Sequence, residues 1–528
     1  MKEYKYYKTI EYNNFYEMLN ALYKKHSKKI AIKYSKRNDV IEITYNQLIK
    51  EISSLYNYYK NNNIENLNIG IISENRYEYI TAYLSSVFLN VIAPIDKEIT
   101  SDDLSKLIEK FDIKVLFYTN KTKETVLSAI KGKSTLKLIN IDERYQYIIQ
   151  EEYPVESFLQ EVRFVDKDKF SVLAFTSGTT GELKGAMLSQ YNITSNLRAA
   201  IENNTLKSPT LVVLPMNHTY GFNPGVLNTL YNSGTLCINM DLKHIARDIK
   251  LYNPYFIGVV PMMVEGIYNN VVREAKRTNK YNLLMKMIKV SNFLLKFKID
   301  IRRLLFGNIL CKGLRLMVSG GAALNPIYVE KFGELGIKLL NGYGLTECSP
   351  LVAVNRSVYN VQGSVGTIIK DDEVKIAKDG EILVKGPNVM LGYYKDKKAT
   401  SESIKNGYFK TGDFGYKKGN VLYITGRKKN LIILENGKNF SPEVIEEKLI
   451  ELSYVKECIV TTRKQKNNTI IVAKLYIDGD MSSLEYDIEK INSVFPKYMH
   501  IDDYEIMEEE FEKNSTKKII RSKYVKWF

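Results

Sequence analysis

The run Thr176-Ser177-Gly178-Thr179-Thr180-Gly181-Glu182-Leu183-Lys184-Gly185 puts four hydroxyls, three glycines and one lysine into ten residues. Glycine lets backbone N–H groups approach an anion, hydroxyls donate further hydrogen bonds, and lysine adds a mobile positive charge. Polyphosphate is the ligand such a loop suits. It is not a Walker A loop, because Gly178 and Gly181 are three apart and no Gly-Lys-Ser/Thr follows.

Six further stretches carry reactive or ligand-binding residue types. Leu214 to Phe222 ends a strand in a His and aromatic cluster containing His218, Thr219, Tyr220, Gly221 and Phe222. Ser319-Gly320-Gly321-Ala322-Ala323 is a small-residue turn open to a flat ring. Asn341-Gly342-Tyr343-Gly344-Leu345-Thr346-Glu347 offers a stacking ring, a hydroxyl and a carboxylate. Tyr408 to Asp413 presents an acid after a tight turn, and Gly426-Arg427-Lys428-Lys429 gathers three cations. Asn514-Ser515-Thr516-Lys517-Lys518-Ile519-Ile520-Arg521 closes the series. Taken singly, each has an ordinary structural explanation: a core histidine, a surface ion pair, a tail charge.

The elements that would hold these residues alternate. Val172-Leu173-Ala174-Phe175 reads as the strand into the hydroxyl-rich loop. Ile69 to Ile72, a helix from about Asn75 to Phe88, and Val91 to Ile95 read as a βαβ unit. Further strands are expected at Ile113 to Tyr118, Thr210 to Leu214, Thr235 to Ile238, Phe256 to Val260 and Leu314 to Val318. Separated by helical lengths, they predict an α/β fold with layered parallel sheets. Between about Glu373 and Gly426, short strands between turns predict a small β lobe. After it, an Asn436-Gly437 turn, a helix opened by Ser441 as cap with Pro442 at its first position, and strands flanking Asn467-Asn468 predict a compact α+β domain. The expected division is 1–428 and 429–528. One stretch breaks the rhythm: Tyr281 to Leu310 is amphipathic and basic, with Asp300 its only acid. It suits either an anionic membrane surface or a helical pair capping the sheet with its basic face in solvent.

A chain of 528 residues exceeds one core, and 45% hydrophobic with 26% charged residues is ordinary for a globular protein. The net charge of +16 favours anionic partners: a nucleotide, an acidic carrier protein or a membrane surface. Nucleic acid is not expected, since no aromatic-basic binding module is present. Cys237, Cys311, Cys348 and Cys458 have no zinc or CxxC spacing, which predicts thiols used as core filler in a reducing cytosol. Neither a signal peptide nor a spanning segment is expected, so a cytoplasmic protein, at most peripheral to the inner face of a membrane, is the reading.

In order and spacing, these motifs together resemble the adenylate-forming superfamily over essentially the whole chain, and long-chain fatty acyl-CoA synthetases most of all. The resemblance implies a carboxylate attacking the α-phosphate of ATP, then a thiol displacing AMP. Thr176, Ser177, Gly178, Thr179, Thr180, Gly181 and Lys184 would grip the β- and γ-phosphates. Gly321, Ala322, Asn341 and Gly342 would border adenine, with Tyr343 stacked on it. Thr346 would meet the α-phosphate, Glu347 would hold Mg²⁺, Asp413 would accept from the ribose, and Arg427 would contact ribose or phosphate. Lys518 would be the adenylation lysine, although Lys517 stands where the family pattern has glycine. Lys429 would be the hinge of a mobile C-terminal domain. His218 would act beside the reacting centre, and His218, Thr219, Tyr220, Gly221 and Phe222 would border the acyl channel. Because Met216 to Phe222 contains no carboxylate to pair with an ammonium, an apolar acid is expected, and the resemblance to long-chain fatty acyl-CoA synthetases implies a medium- to long-chain fatty acid. Coenzyme A is the expected acceptor, with acyl-carrier-protein loading as the alternative. A catalytically dead ligand-binding member and an ATPase without acyl transfer are the more distant alternatives.

Overall fold

Short apolar, β-branched runs flanked by helices build the two large sheets. The computed structural model describes residues 5–36, 39–131, 135–177, 183–434, 438–465, 468–513 and 519–525, with Ser177 and Asn468 described through their backbone alone. In one sheet of seven described strands the order is 392–393, 183–189, 170–177, 91–95, 68–72, 113–118, 137–140. Its centre is parallel, and the pair Phe170–Ser177 and Leu183–Ser189 is antiparallel. The helix Tyr77–Leu89 crosses between Asn68–Ile72 and Val91–Ile95, as the βαβ pattern predicts. Its apolar side chains are buried almost all round, which is why it shows little amphipathic contrast.

A sheet of 14 described strands carries the rest of the large unit. Strands 30–36, 236–238, 210–212, 256–259, 316–319 and 338–344 run parallel within it. On its far side Lys338–Gly344 pairs antiparallel with Leu351–Val354, and the meander continues through 366–368, 421–427, 408–418, 381–385 and 373–376. The expected small β lobe is therefore a continuation of this sheet. Asp413 likewise lies within the strand Tyr408–Lys418 and not after a turn. Gly412 has φ +69°, a left-handed conformation that glycine adopts without strain. That local kink gives the sequence its turn-like appearance.

The helix Gln190–Asn203 lies between the two sheets and is opened by a capping box: Ser189 accepts from the Asn192 amide and Asn192 reaches back. Its buried amides hold neighbouring loops. Asn192 Nδ2 donates to Pro387 O (2.7 Å) and Val389 O (3.0 Å), and Asn196 Nδ2 donates to Leu351 O (2.8 Å).

Beyond Lys429, strands Val455–Gln465, Asn468–Ile477 and Asp503–Met507 pack under the helices Glu443–Ile450 and Leu484–Ser493 around their own apolar cluster. The first of these helices begins at Glu443 with no side-chain cap, so Ser441 does not play the capping part expected of it. Ser441 instead packs against Gly426, where an added β-carbon would collide with its side chain. The Asn436-Gly437 turn and Asn467 lie outside the described residues. All four cysteines are buried and unpaired.

Candidate functional site

Five distant stretches meet where the two sheets adjoin. Register in the seven-stranded sheet sets Thr176 opposite Lys184 and Tyr393 opposite Ala186. The Lys184 ammonium lies 4.9 Å from the centre of the Tyr393 ring, a cation–π contact. The Tyr393 hydroxyl in turn donates to Glu347 Oε1 at 2.9 Å. Lysine, aromatic ring and carboxylate thus form one chain of contacts. Gly178, Thr179, Thr180 and Gly181 lie outside the described residues.

Glu347 sits in the short 3₁₀ turn Thr346–Cys348 and is 8% exposed. Burial raises its pKa above the ordinary carboxylate range, and the Tyr393 hydrogen bond and Arg427 charge oppose that rise. Among the described residues no group of three or more His, Cys, Asp or Glu side chains could hold a metal. One carboxylate suits Mg²⁺ that arrives with phosphate oxygens supplying other ligands, so the residues fit a nucleotide-borne ion.

At the end of Lys338–Gly344, the Tyr343 hydroxyl donates to Asp413 Oδ2 at 2.7 Å. Arg427, opposite Asp413 in the strand register, holds Oδ1 at 2.9 Å. Asp413 is only 2% exposed, so this guanidinium compensates a carboxylate that would otherwise be costly to bury. Asn341 and Gly342 precede Tyr343 on the same strand, and Asn341 Nδ2 donates to Ser364 O at 3.3 Å. Gly321 and Ala322 stand exposed beyond the neighbouring strand Leu316–Ser319.

The histidine cluster enters from the next strands. Thr219 Oγ1 lies 3.4 Å from Thr346 Oγ1, which joins the cluster to the turn that bears Glu347. Asn75 clamps the approach: its Nδ2 donates to Leu214 O, and its Oδ1 accepts from the Met216 amide, both at 2.9 Å. Tyr220 is pinned, its hydroxyl bonding Val259 O (3.0 Å) and Val318 O (2.9 Å). A β-carbon on Gly320 would lie 3.0 Å from that ring, so the small-residue turn gives Tyr220 its room. Phe222 is 2% exposed and packs on Tyr83 and Tyr79 at 4.3 and 5.7 Å between ring centres. Gly221 lies against the Pro215 carbonyl. Of the five cluster residues, the structure therefore holds Phe222 in the core.

His218 Nε2 stands 3.7 Å from Asp96 Oδ2. Asp96 follows the strand Val91–Ile95 and is remote from the cluster in sequence. The stretch Met216 to Phe222 contains no acid, yet the folded site has one beside it. Tyr393 was missed in the same way: nothing in Gly392-Tyr393-Tyr394 marks one tyrosine as a partner for a carboxylate more than forty residues upstream.

Lys518 and Lys517 lie outside the described residues, but both flanks are fixed. Lys513 and Ile519 form an antiparallel bridge. Arg521 grips Glu446 with both terminal nitrogens, at 2.8 and 2.6 Å. Lys429 lies in the turn Lys428–Asn430, and desolvation and the Arg427 charge lower its pKa. Next to it, Lys428 reaches Asp379 and Glu381, each at 2.8 Å.

The family model of AMP-binding enzymes matches residues 20–394, and that of the AMP-binding enzyme C-terminal domain matches residues 429–528. The long-chain-fatty-acid–CoA ligase FadD15 of Mycobacterium bovis is 30% identical over 315 residues, 55% of this chain and 52% of that protein. The long-chain-fatty-acid–[acyl-carrier-protein] ligase AEE15 of Arabidopsis thaliana is 28% identical over 378 residues, 59% of this chain and 52% of that protein. The chain thus spans about half the length of these relatives. In fold it is similar to the anthranilate CoA ligase AuaEII solved with anthranoyl-AMP, at a TM-score of 0.80 and 17% identity, over 99% of this chain and 98% of that one.

Proposed function

The chain belongs to the family of AMP-binding enzymes, and from that premise we propose that it activates a carboxylic acid with ATP and passes the acyl group to a thiol. A carboxylate oxygen bonds to the α-phosphorus while the α–β bridge breaks, giving acyl-adenylate and pyrophosphate. The thiol then loses its proton, its sulfur bonds to the acyl carbon, and AMP leaves. The observation carrying this reading is that Tyr343 meets Asp413 (2.7 Å) while Thr346, three residues on, meets Thr219 (3.4 Å). Nucleotide-type and acid-type residues thereby share one strand end.

In this reading Thr176, Ser177, Gly178, Thr179, Thr180, Gly181 and Lys184 hold the phosphates. Gly321, Ala322, Asn341, Gly342 and Tyr343 receive adenine, and Asp413 with Arg427 receives ribose. Thr346 orients the α-phosphate. Glu347 would hold the Mg²⁺ that accompanies ATP, whose charge would offset that of the phosphates, and Tyr393 keeps the carboxylate in place. Lys518 supplies a positive charge where two anions must meet; at ~4 Å that offsets roughly 4 kcal/mol of repulsion for an effective dielectric of 20. Residues 1–428 bind the substrates, and 429–528 turn about Lys429 between the two half-reactions.

The acid is a medium- to long-chain fatty acid and the thiol is coenzyme A. Similarity to FadD15 supports both, and similarity to AEE15 keeps a carrier-protein thiol as the second reading. Asp96 beside His218 favours one further trial substrate, an amine-bearing acid. AMP release should be measured across fatty acids of increasing length and one amino acid, with coenzyme A and with a phosphopantetheinylated carrier. Release that depends on a long acid and coenzyme A is expected. Lys518→Ala should abolish adenylation yet spare thioester formation from supplied acyl-adenylate. Absence of acid-dependent ATP–pyrophosphate exchange in the native enzyme would refute the reading.

A further inference from the structure

The basic stretch Tyr281 to Leu310 folds as the helices Tyr281–Lys296 and Arg302–Phe306. One face of the longer helix caps the large unit: Leu284, Ile288 and Ser291 are buried, and Asn292 donates to Glu334 at 3.0 Å. This is the capping arrangement expected of it. The opposite face is not simply charged. Leu283, Val290, Phe293 and Phe297, spaced by sevens, threes and fours, are 54%, 48%, 57% and 63% exposed. Ile299 and Leu304 extend the patch at 50% and 83%. The Phe293 and Phe297 rings pack edge to face at 5.3 Å, so they project as a unit.

Lysines punctuate and border this strip: Lys286 within it, Lys289 and Lys296 along its flank, and Lys298 beyond its end, all exposed. No acidic residue occurs from Tyr281 to Ile299, and Asp300 is already taken by Arg302 at 2.7 Å. A helix that is apolar on two opposite faces has one face more than its own fold uses. A continuous apolar strip in solvent marks a partner surface.

We infer that this face docks on an anionic lipid bilayer, with the helix in the interface plane, Phe293 and Phe297 inserted, and the lysines on lipid headgroups. Charge and the exposed apolar strip together favour this occupant, since an acidic soluble partner would answer the lysines alone. A second copy packed face to face about a two-fold axis would set these lysines against their equivalents. A neutral partner would leave them uncompensated. Among the described residues no helix is long and apolar enough to cross a membrane, so the contact lies on one leaflet.

Vesicle sedimentation of the full chain tests this without reference to activity, so its failure is separate from failure of the acid–thiol reading. Binding is expected to phosphatidylglycerol-containing vesicles, weakening with salt, and not to vesicles of phosphatidylcholine alone. Each lysine at an anionic surface is worth about fivefold in partitioning, so Lys286→Glu with Lys289→Glu should cost roughly 25-fold or more. Phe293→Ser with Phe297→Ser should lower binding at every salt concentration. All four positions are exposed, and unchanged thermal melts would show the variants folded. Equal binding to neutral vesicles, no binding to either, or variants that bind like the native chain would overturn the inference. So would a dimer in analytical ultracentrifugation, abolished by the Phe substitutions, in place of vesicle binding.

Discussion

Replacing Tyr393 by Phe removes one hydroxyl and keeps the ring under Lys184. That hydroxyl donates to Glu347 Oε1 at 2.9 Å, and the carboxylate is 8% exposed, so water replaces the lost donor poorly. A hydrogen bond to a charged group contributes about 1.5–3 kcal/mol, equivalent to roughly 10- to 150-fold in an equilibrium constant. If Glu347 holds the ion that accompanies ATP, Tyr393→Phe should raise the Mg²⁺ concentration for half-maximal pyrophosphate exchange by at least about tenfold. The rate at saturating Mg²⁺ should fall far less, because the carboxylate itself remains. Tyr393→Leu also removes the ring 4.9 Å from Lys184, and should weaken ATP binding by a further ~0.5–1 kcal/mol. The assay is acid-dependent exchange across a Mg²⁺ titration, with Glu347→Gln as the reference for total loss. Half-saturation unchanged within about twofold in Tyr393→Phe, alongside an inactive Glu347→Gln, would refute the positioning argument.

Two further predictions rest on buried polar groups. Arg521→Ala leaves Glu446 without its guanidinium, and the pair is 20% and 12% exposed. A loss of about 2–3 kcal/mol is expected in the C-terminal domain, measured by hydrogen exchange within residues 438–513 across a urea titration. Arg521→Lys should recover less than half of it, since lysine cannot reproduce the two-point grip. At Asp372, burial holds the carboxyl well above the ordinary carboxylate range, while the unfolded chain titrates near the ordinary value. The folded state therefore binds this proton more tightly. Stability from the neutral acid is full below the unfolded pKa and is lost as pH rises through the folded one. Among the described residues Asp372 Oδ1 and Asn388 Oδ1 are buried without a partner and lie on the same side of Gly386, where a proton on Asp372 would supply the missing donor. Asp372→Asn supplies that donor permanently. Its melting temperature relative to the native chain should rise by on the order of 2 °C between pH 5 and pH 8, and a constant difference would contradict the assignment.

The α/β alternation was legible because parallel strands buried on both faces read as short continuous apolar runs, as in Ile69 to Ile72 and Ile113 to Tyr118. Motif residues on one strand, such as Asn341, Gly342 and Tyr343, were legible for a related reason: local spacing survives folding. Partnerships across the fold were not. Tyr393 reaches Glu347 because Gly392–Tyr393 pairs beside Leu183–Ser189, and Asp96 reaches His218 because Val91–Ile95 ends beside the second sheet. Both depend on strand order, which no stretch of residues encodes alone. The basic helix shows the same limit from another side. Its charge was evident, but its periodicity did not say which apolar face the protein would bury.

Strand Lys338–Gly344 is parallel to one neighbour and antiparallel to the other, and this joint constrains how the protein can be cut. Ending the chain after Glu347 would strip away the antiparallel meander and bare a row of unpaired N–H and C=O groups at residues 342–344. An open strand edge of that kind recruits other chains into aggregates. It would also delete Asp413 and Arg427, leaving the Tyr343 hydroxyl without an acceptor. Division after Lys428 severs no described strand and retains both Asp413 and Arg427. A soluble nucleotide-binding fragment should therefore extend to that point, however compact the parallel half looks alone.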